Sequence, residues 1–168
     1  MKIHRLQRSQ IIGERLEQTF RFFANPRNLE RLTPAFLRFE FLEPPPPEVR
    51  PGTILLYRLR LHGIPVNWRT RIETVETPTR FIDIQEKGPY SLWRHTHTFK
   101  SLGEKLTEVE DSVEYALPFG VLGQVARYLF VERDLGQIFA YRADQLSAIF
   151  PSKTWVVAGR TTAFRPRN

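Results

Sequence analysis

The segment PGTILLYRLRLHGIPVNWRTRI, residues 51–72, alternates between apolar and charged side chains along much of its length. Leu55, Tyr57 and Leu59 occupy every second position, and an arginine follows each of the last two. Because successive side chains of a β-strand point to opposite faces, this spacing predicts a strand with one apolar and one charged face. An antiparallel sheet of such strands buries one face and leaves the other in water.

The alternation continues from Thr53 to Leu117, which predicts a meander of antiparallel strands. Short turns are expected at Gly63-Ile64, Pro78-Thr79, residues 88–90 and residues 102–104. The charged residues that share one face are Arg58, Arg60, Arg69, Arg71, Arg94, Lys100, Glu108, Glu110 and Glu114. The opposite face is rich in aromatic and branched side chains, so another part of the chain must cover it.

A long helix predicted over residues 121–150 is the available cover, since its apolar residues recur at helical spacing. Gly123 and Gly136 lower its helix propensity, and we expect them where the helix approaches the sheet closely. The patterns upstream of the meander predict a strand over 3–12, short helices over 13–26 and 26–33, a strand over 35–42 and a stiff proline-rich loop over 43–52. The fold class is therefore α+β.

The composition is that of a soluble globular domain: of 168 residues, 41% are hydrophobic and 26% are charged. There is no cysteine, which excludes disulfides, thiolate catalysis and cysteine-ligated zinc. The N-terminus lacks the apolar stretch of a secretion signal, and no apolar run is long enough to span a membrane. We therefore expect a cytoplasmic protein without stable membrane insertion.

The net charge of +7 is concentrated near the C-terminus. Residues 151–168 carry four basic residues and no acid, whereas residues 1–150 carry 21 basic and 18 acidic residues. The body of the chain is nearly balanced, which argues against nucleic acid as a partner. We expect residues 1–150 to form the domain and residues 151–168 a basic tail. Because the tail contains the β-prone stretch TWVVAG, we expect it to pack on its own domain or on a second copy in a homodimer.

Four segments taken together carry a family resemblance: FRFFANPRNLERLTP (20–34), PGTILLYRLRLHGIPVNWRTRI (51–72), FIDIQEKGPYSLWRHTHTF (81–99) and EDSVEYALPFGVLG (110–123). They resemble the START-like, helix-grip (SRPBCC) superfamily, especially its small stand-alone bacterial and polyketide cyclase-like members. The resemblance covers residues 3–150 and implies a hydrophobic cavity between a curved sheet and a long C-terminal helix. It fixes no reaction, because the superfamily includes carriers, sensors and enzymes.

The expected turns also set a register that brings polar residues together on the inner face of the sheet. The expected pairs are Thr74 with Asp83, Asp83 with His95, Gln85 with Trp93, His95 with Asp111, and His97 with Val109. A row of Thr74, Asp83, His95 and Asp111 would then cross four neighbouring strands. Two carboxylates beside His95 would favour its charged form and raise its pKa.

Four interpretations of this row remain open. It can be a structural polar network, or a patch that orients a ligand in an apolar cavity. General acid/base catalysis by His95 has suitable groups, although no nucleophile or oxyanion donor is evident. Metal binding by His95, His97 and Asp111 is the least favoured, because His97 is expected between two apolar residues, Phe81 and Val109.

The preferred functional hypothesis is binding of a hydrophobic or aromatic small molecule, such as a lipid, a quinone or a polyketide-like compound. One alternative is an aromatase/cyclase-type enzyme in which His95 is the general acid/base and Asp83 and Asp111 assist it. Another is an interaction module that uses the tail to reach a partner or an acidic surface. The expected ligand-binding residues are Tyr57, Trp68, Thr74, Phe81, Asp83, Gln85, Trp93, His95, His97, Asp111 and Tyr115. No metal or cofactor is expected, and the sequence has no phosphate-binding glycine loop.

Overall fold

A computed structural model of the chain describes residues 1–118 and 130–151. Its seven strands are β1 (His4–Ile12), β2 (Glu40–Phe41), β3 (Ile54–Leu61), β4 (Ile64–Glu76), β5 (Arg80–Lys87), β6 (Leu92–Gly103) and β7 (Leu106–Ala116). They form one antiparallel sheet in the order β1-β7-β6-β5-β4-β3-β2. The predicted meander is thus present from β3 to β7, and β1 and β2 pair with its two ends.

Within residues 1–118 and 130–151, three α-helices accompany the sheet: α1 (Leu16–Ala24), α2 (Leu29–Leu32) and α3 (Glu132–Ile149). Helix α1 buries Phe20 and Phe23, which are three residues apart and therefore lie on one face. Asn25 ends α1, and its side chain accepts a hydrogen bond from the Arg27 backbone N–H at the start of a short 3₁₀ turn. None of the helices in the described ranges has the length and apolar character needed to cross a membrane.

The two faces of the sheet divide as the alternation predicts. The inner face buries Ile72, Phe81, Phe99, Val109 and Val113, each at most 5% exposed. The outer face carries ion pairs between strands, which are Arg58–Glu40, Arg69–Glu86, Arg71–Glu86, Arg94–Glu73 and Arg5–Glu114. Pairs this exposed contribute little energy each, about 0–1 kcal/mol, so burial of the inner face is the main source of stability.

Helix α3 covers part of the inner face, where it buries Leu135, Phe139 and Leu146. The Gln10 side chain in β1 donates hydrogen bonds to the Ala143 carbonyl at 2.9 Å and to Ser147 Oγ at 2.8 Å. These two bonds fix the position of α3 against the edge of the sheet. The space that remains between α3, the sheet and the N-terminal helices forms the cavity described below.

Several sequence predictions about individual elements are wrong. The segment predicted as a strand over 35–42 is a 3₁₀ turn, Ala35–Leu37, followed by the two-residue strand β2. The first hairpin turn lies at His62-Gly63 rather than Gly63-Ile64, and both of its residues have positive φ, as a type I′ turn requires.

Residues 119–129 and 152–168 lie outside the described residues, so α3 is described only from Glu132, and Gly123 and the predicted tail are not described.

Candidate functional site

A cavity of about 180 Å³ lies between the sheet, the N-terminal helices and α3. Its lining includes Phe23, Leu29, Leu32 and Leu37 from the N-terminal region, Tyr57, Trp68, Phe81, Tyr90 and Trp93 from the sheet and its loops, and Leu135, Ile138 and Phe139 from α3. Most of these side chains are apolar or aromatic. The lining is therefore of the kind that binds hydrophobic small molecules in other proteins.

Aromatic rings form a connected wall on the sheet side of the cavity. Tyr57 and Trp68 lie nearly parallel at 6.1 Å between ring centroids, and Trp93 meets Trp68 edge-on at 5.5 Å. Tyr90 packs against Trp93 at 4.9 Å. Burial raises the pKa of Tyr57 and of Tyr90, so both hydroxyls stay protonated. The wall is a rigid and uncharged surface suited to a flat ligand.

Five polar residues, which we call the polar cluster, lie together at the α3 side of this wall. They are Asp83 in β5, His95 and His97 in β6, Asp111 in β7 and Arg142 in α3. The side chain of Asp83 is the most exposed of the five at 16%, and the others are between 6% and 9% exposed. A buried group of this size is tolerated only if its charges are balanced and hydrogen-bonded.

His97 lies between the two carboxylates. Its Nε2 is hydrogen-bonded to Asp83 Oδ2 at 2.9 Å, and its Nδ1 lies 2.9 Å from Asp111 Oδ1. Burial opposes the charged form, but the hydrogen bonds that the His97 ring donates to Asp111 and Asp83 outweigh burial and raise the pKa of His97. Since carboxylates only accept hydrogen bonds, we assign a proton to both ring nitrogens of His97.

His95 has the opposite tendency. Its Nε2 is hydrogen-bonded to Asp111 Oδ1 at 2.9 Å, whereas its Nδ1 lies 3.8 Å from Asp83 Oδ2, too far for a hydrogen bond. Burial and the neighbouring charge of His97 lower the pKa of His95. We therefore assign a neutral imidazole protonated at Nε2, with a lone pair on Nδ1. The sequence-based expectation of a raised pKa at His95 is wrong, because His97 rather than His95 lies between the two carboxylates.

Asp111 joins the cluster to α3. Arg142 Nη2 donates a hydrogen bond to Asp111 Oδ1 at 3.2 Å. Arg142 Nε lies 3.1 Å from Asp111 Oδ2, but its N–H is not aimed along a hydrogen bond, so this contact is electrostatic. Burial would raise the pKa of Asp111, yet Arg142 and the two histidines hold it well below its usual value. Asp111 is therefore a carboxylate behind the two histidines.

The structure brings most of the predicted site residues together, though not in the predicted register. Asp83 pairs with His95 as expected, but Asp111 pairs with His97 and Val113 with His95. The predicted residues that line the cavity are Tyr57, Trp68, Phe81, Asp83, Trp93, His95 and His97. Because the β6–β7 pairs are displaced by two residues, every side chain keeps its predicted face.

Four predicted residues do not line the cavity. Thr74 pairs with Ile82 instead of Asp83, because a bulge follows Ile72 and shifts the register. Gln85 binds the loop before β6 instead, since its amide donates to the Tyr90 carbonyl and accepts from the Tyr90 N–H. Asp111 lies behind the histidines, and Tyr115 is buried beside Trp93 and Tyr90.

Sequence reasoning missed Arg142 as a member of the polar cluster. Arg142 is buried, with 8% of its surface exposed, and its guanidinium carbon lies 5.0 Å from the centre of the Phe23 ring. A signal was present in the sequence: Arg142 follows Phe139 by three residues and precedes Leu146 by four, on the apolar stripe of the helix. A cation at that position indicates an anionic partner on the face that the helix covers.

The spacing of the cluster is also compatible with a metal ion. One ligand atom each from Asp83, His95 and His97 lies within 4.8 Å of the others. To bind a cation there, His97 would have to lose the proton that it shares with Asp83, and the Arg142 guanidinium lies only 3.4 Å from its Nδ1. A metal cation beside the Arg142 guanidinium is electrostatically unfavourable, so the arrangement favours a hydrogen-bonded ion network.

No model of a known protein family and no curated protein matches the chain at a significant level. Solved structures do match it. The Zhui aromatase/cyclase from Streptomyces sp. R1128 gives a TM-score of 0.70 at 11% identity, over 88% of this chain and 93% of that one. A START superfamily protein from Mycobacterium smegmatis gives a TM-score of 0.65 at 9% identity, over 87% of this chain and 99% of that one.

A third structure is the major latex-like protein 151 of ginseng, Panax ginseng, with a TM-score of 0.66 at 11% identity over 90% of this chain and 100% of that one. Identities this low establish the fold alone. The chain has a START-like, helix-grip fold, with a curved seven-stranded antiparallel sheet and a long C-terminal helix, as the sequence resemblance predicted.

Proposed function

We propose that this domain binds a hydrophobic or aromatic small molecule, of the lipid, quinone or polyketide-like kind, between the sheet and α3. The observation that supports the proposal is the cavity of about 180 Å³, with aromatic walls and a charge-balanced polar cluster on one side. Empty space inside a core weakens a protein, and an apolar cavity of about 150 Å³ is known to accept benzene. A ligand of one or two rings fits this volume.

The polar cluster gives such a ligand an orientation. Asp83, His95, His97 and Arg142 line the cavity, whereas Asp111 holds both histidines and Arg142 in place from behind. Apolar pockets with a few convergent polar groups use those groups for specificity and the walls for affinity. The cluster also helps to hold the sheet and α3 together, a structural role that is compatible with ligand binding.

The test is thermal unfolding with a panel of apolar probes: a quinone, a fatty acid and a polycyclic aromatic compound. A ligand present at 100 times its Kd stabilises the folded state by about 2.7 kcal/mol, which raises Tm by several degrees in a chain of this size. Should none of the three raise Tm, the binding proposal would lose its support.

Replacement of Trp93 by alanine examines the aromatic wall directly. The Trp93 ring contacts Trp68 and Tyr90 and lines the cavity, so its loss should weaken probe binding about tenfold or more while the domain remains folded. Leu102→Ala is a suitable control, because Leu102 is on the same strand but 42% exposed. Equal effects of the two variants on affinity would place the ligand elsewhere.

The second candidate function is aromatase/cyclase-type catalysis, and the state of His95 favours it. Its Nδ1 carries a lone pair at neutral pH and Asp111 holds the ring from the other side, an arrangement typical of a general base. In such a reaction, Nδ1 would accept a proton from a substrate carbon beside a carbonyl. His95→Gln should then abolish product formation, whereas a carrier would show no turnover in either form.

A further inference from the structure

The hydrogen bonds of the polar cluster leave two of its acceptor atoms open at the cavity. His97 uses Nε2 on Asp83 and Nδ1 on Asp111, and Arg142 is engaged with Asp111. Within the described residues, the side-chain bonds of Asp83 and His95 run through Oδ2 and Nε2. Asp83 Oδ1 and His95 Nδ1 are thus acceptors without a donor in this part of the chain.

These two acceptors are open to the cavity. The enclosed polar atoms without a partner among the described residues are Thr19 Oγ1, Trp68 Nε1, Thr74 Oγ1 and Arg142 Nε. Asp83 Oδ1 and His95 Nδ1 are not among these enclosed atoms, and both residues line the cavity. An acceptor shielded from bulk water needs a hydrogen-bond donor, so this wall is built to receive one.

The charges of the cluster decide which kind of donor fits. Asp83 and Asp111 balance Arg142 and the imidazolium of His97, and His95 is neutral. A carboxylate ligand would face the Asp83 carboxylate and add an unbalanced negative charge to a site whose charges already cancel. An ammonium ligand would add an unbalanced charge to a site that is already neutral. A neutral hydroxyl satisfies the acceptors without either cost.

On this basis, and resting on the proposed binding function, we propose that the ligand is a neutral hydroxylated aromatic compound of one or two rings. Its O–H donates a hydrogen bond to the Asp83 carboxylate or to His95 Nδ1. The two acceptor groups are close together, since His95 Nδ1 lies 3.8 Å from Asp83 Oδ2. Its rings lie against Tyr57, Trp68 and Trp93. An ionised carboxylic acid fits this wall less well, because its charge would lie beside the Asp83 carboxylate.

Isothermal titration calorimetry of the full-length chain with three probes of one shape tests this inference. The probes are 2-naphthol, 2-methoxynaphthalene, which lacks the donor, and 2-naphthoate, which is anionic. We expect 2-naphthol to bind about tenfold or more tightly than the methoxy compound, as a hydrogen bond to a charged group implies. The naphthoate should bind most weakly of the three.

A pair of variants in β5 links the preference to Asp83. Asp83→Asn should reduce the advantage of 2-naphthol over 2-methoxynaphthalene to about threefold or less. Glu86→Gln makes the same chemical change on the opposite face of the strand, where Glu86 binds Arg69 and Arg71, and should leave the preference intact. The ranking of the three probes on the unmodified chain stands even if Asp83→Asn does not fold.

The outcomes separate this inference from the proposed function. If the naphthol and the methoxy compound bind equally, or if the naphthoate binds most tightly, the hydroxyl preference is overturned while apolar binding in the cavity stands. If none of the three probes binds, the proposed function and this inference both fail. A naphthol preference that survives Asp83→Asn would assign the acceptor role to His95, and one that survives both Asp83→Asn and His95→Gln would overturn the assignment.

Discussion

Asp111 is the residue on which the polar cluster depends, because three donors converge on one of its oxygens. His95 Nε2 and His97 Nδ1 each lie 2.9 Å from Asp111 Oδ1, and Arg142 Nη2 lies 3.2 Å from it. The sequence predicted a histidine and its carboxylates on one face but assigned the raised pKa to His95. A displacement of two residues in one hairpin was enough to transfer the charge to His97.

We predict that Arg142→Met lowers the free energy of unfolding by about 3–5 kcal/mol, because it leaves the Asp111 carboxylate buried without its cation. Urea denaturation measures the change. Arg133→Met on the same helix is the control, since the Arg133 side chain is 64% exposed and its loss should cost little. Equal stability of the two variants would mean that Arg142 does not neutralise the cluster.

The two histidines should affect stability in opposite directions as pH changes. The raised pKa of His97 gives stability that is fully present below pH 6.5 and is lost as pH rises through the pKa of the folded state. The lowered pKa of His95 costs stability as pH falls from 6.5 through its folded value, because the unfolded chain takes up that proton more readily.

His97→Gln should therefore flatten the decline in unfolding free energy on the alkaline side of pH 6.5, and His95→Gln the decline on the acid side. Unfolding free energies measured at a series of pH values check both expectations. Profiles that match the parent in both variants would contradict the assigned protonation states.

The strands of the meander were predictable, but the details of their turns were not. The β5–β6 register follows from the loop after Lys87, and Asp83 pairs with His95 as expected. The β6–β7 hairpin turns at Glu104-Lys105 instead of residues 102–104, and an irregularity lies between Ser101 and Gly103. Together these two features move Asp111 from His95 to His97, and no local sequence pattern predicts them. Alternation fixes the face of a side chain, whereas its partner depends on bulges that respond to packing.

The glycine in α3 is another point on which the sequence-based expectation is wrong. We expected Gly136 to permit a close approach to the sheet, but a Cβ added there meets no described atom within 4 Å. Gly136→Ala should therefore stabilise the protein by up to about 1 kcal/mol, through helix propensity alone. Gly63→Ala should destabilise the protein by about 1 kcal/mol, since Gly63 has a φ of +84° in the first hairpin, which alanine adopts only at a cost. Thermal unfolding distinguishes the two signs, and a destabilised Gly136→Ala would mean that the helix is packed more closely there.

For the molecule as a whole, the division into a charged and an apolar face was the decisive sequence signal. It predicted which face of the sheet is buried and that a helix covers it, and both follow from the period of two in residues 53–117. The contribution of the N-terminal helices to the cavity, through Phe23, Leu29 and Leu32, could not be predicted, because it depends on how separate elements pack. Local patterns specify faces, and tertiary packing decides which faces enclose a space.

The end of α3 lies close to the N-terminal elements, and the basic tail follows it in the sequence. Phe150 packs edge-on against Phe22 at 5.0 Å, and its carbonyl accepts a hydrogen bond from the Gly13 N–H. The chain therefore leaves α3 beside α1 and the end of β1. The stretch TWVVAG that follows is apolar and β-prone, and we expect it to pack on its own domain or on a second copy.

Truncation after Ser152 should then lower Tm or shift a dimer to monomer, because the apolar side chains of the tail would be lost from a packed surface. Thermal unfolding and sedimentation velocity of the truncated and full-length chains measure the two effects. A second variant, with Arg160, Arg165 and Arg167 changed to glutamine, separates charge from packing, since it keeps TWVVAG and should behave like the full chain. If the truncated protein melts and sediments as the full chain does, the tail has no structural part in the domain.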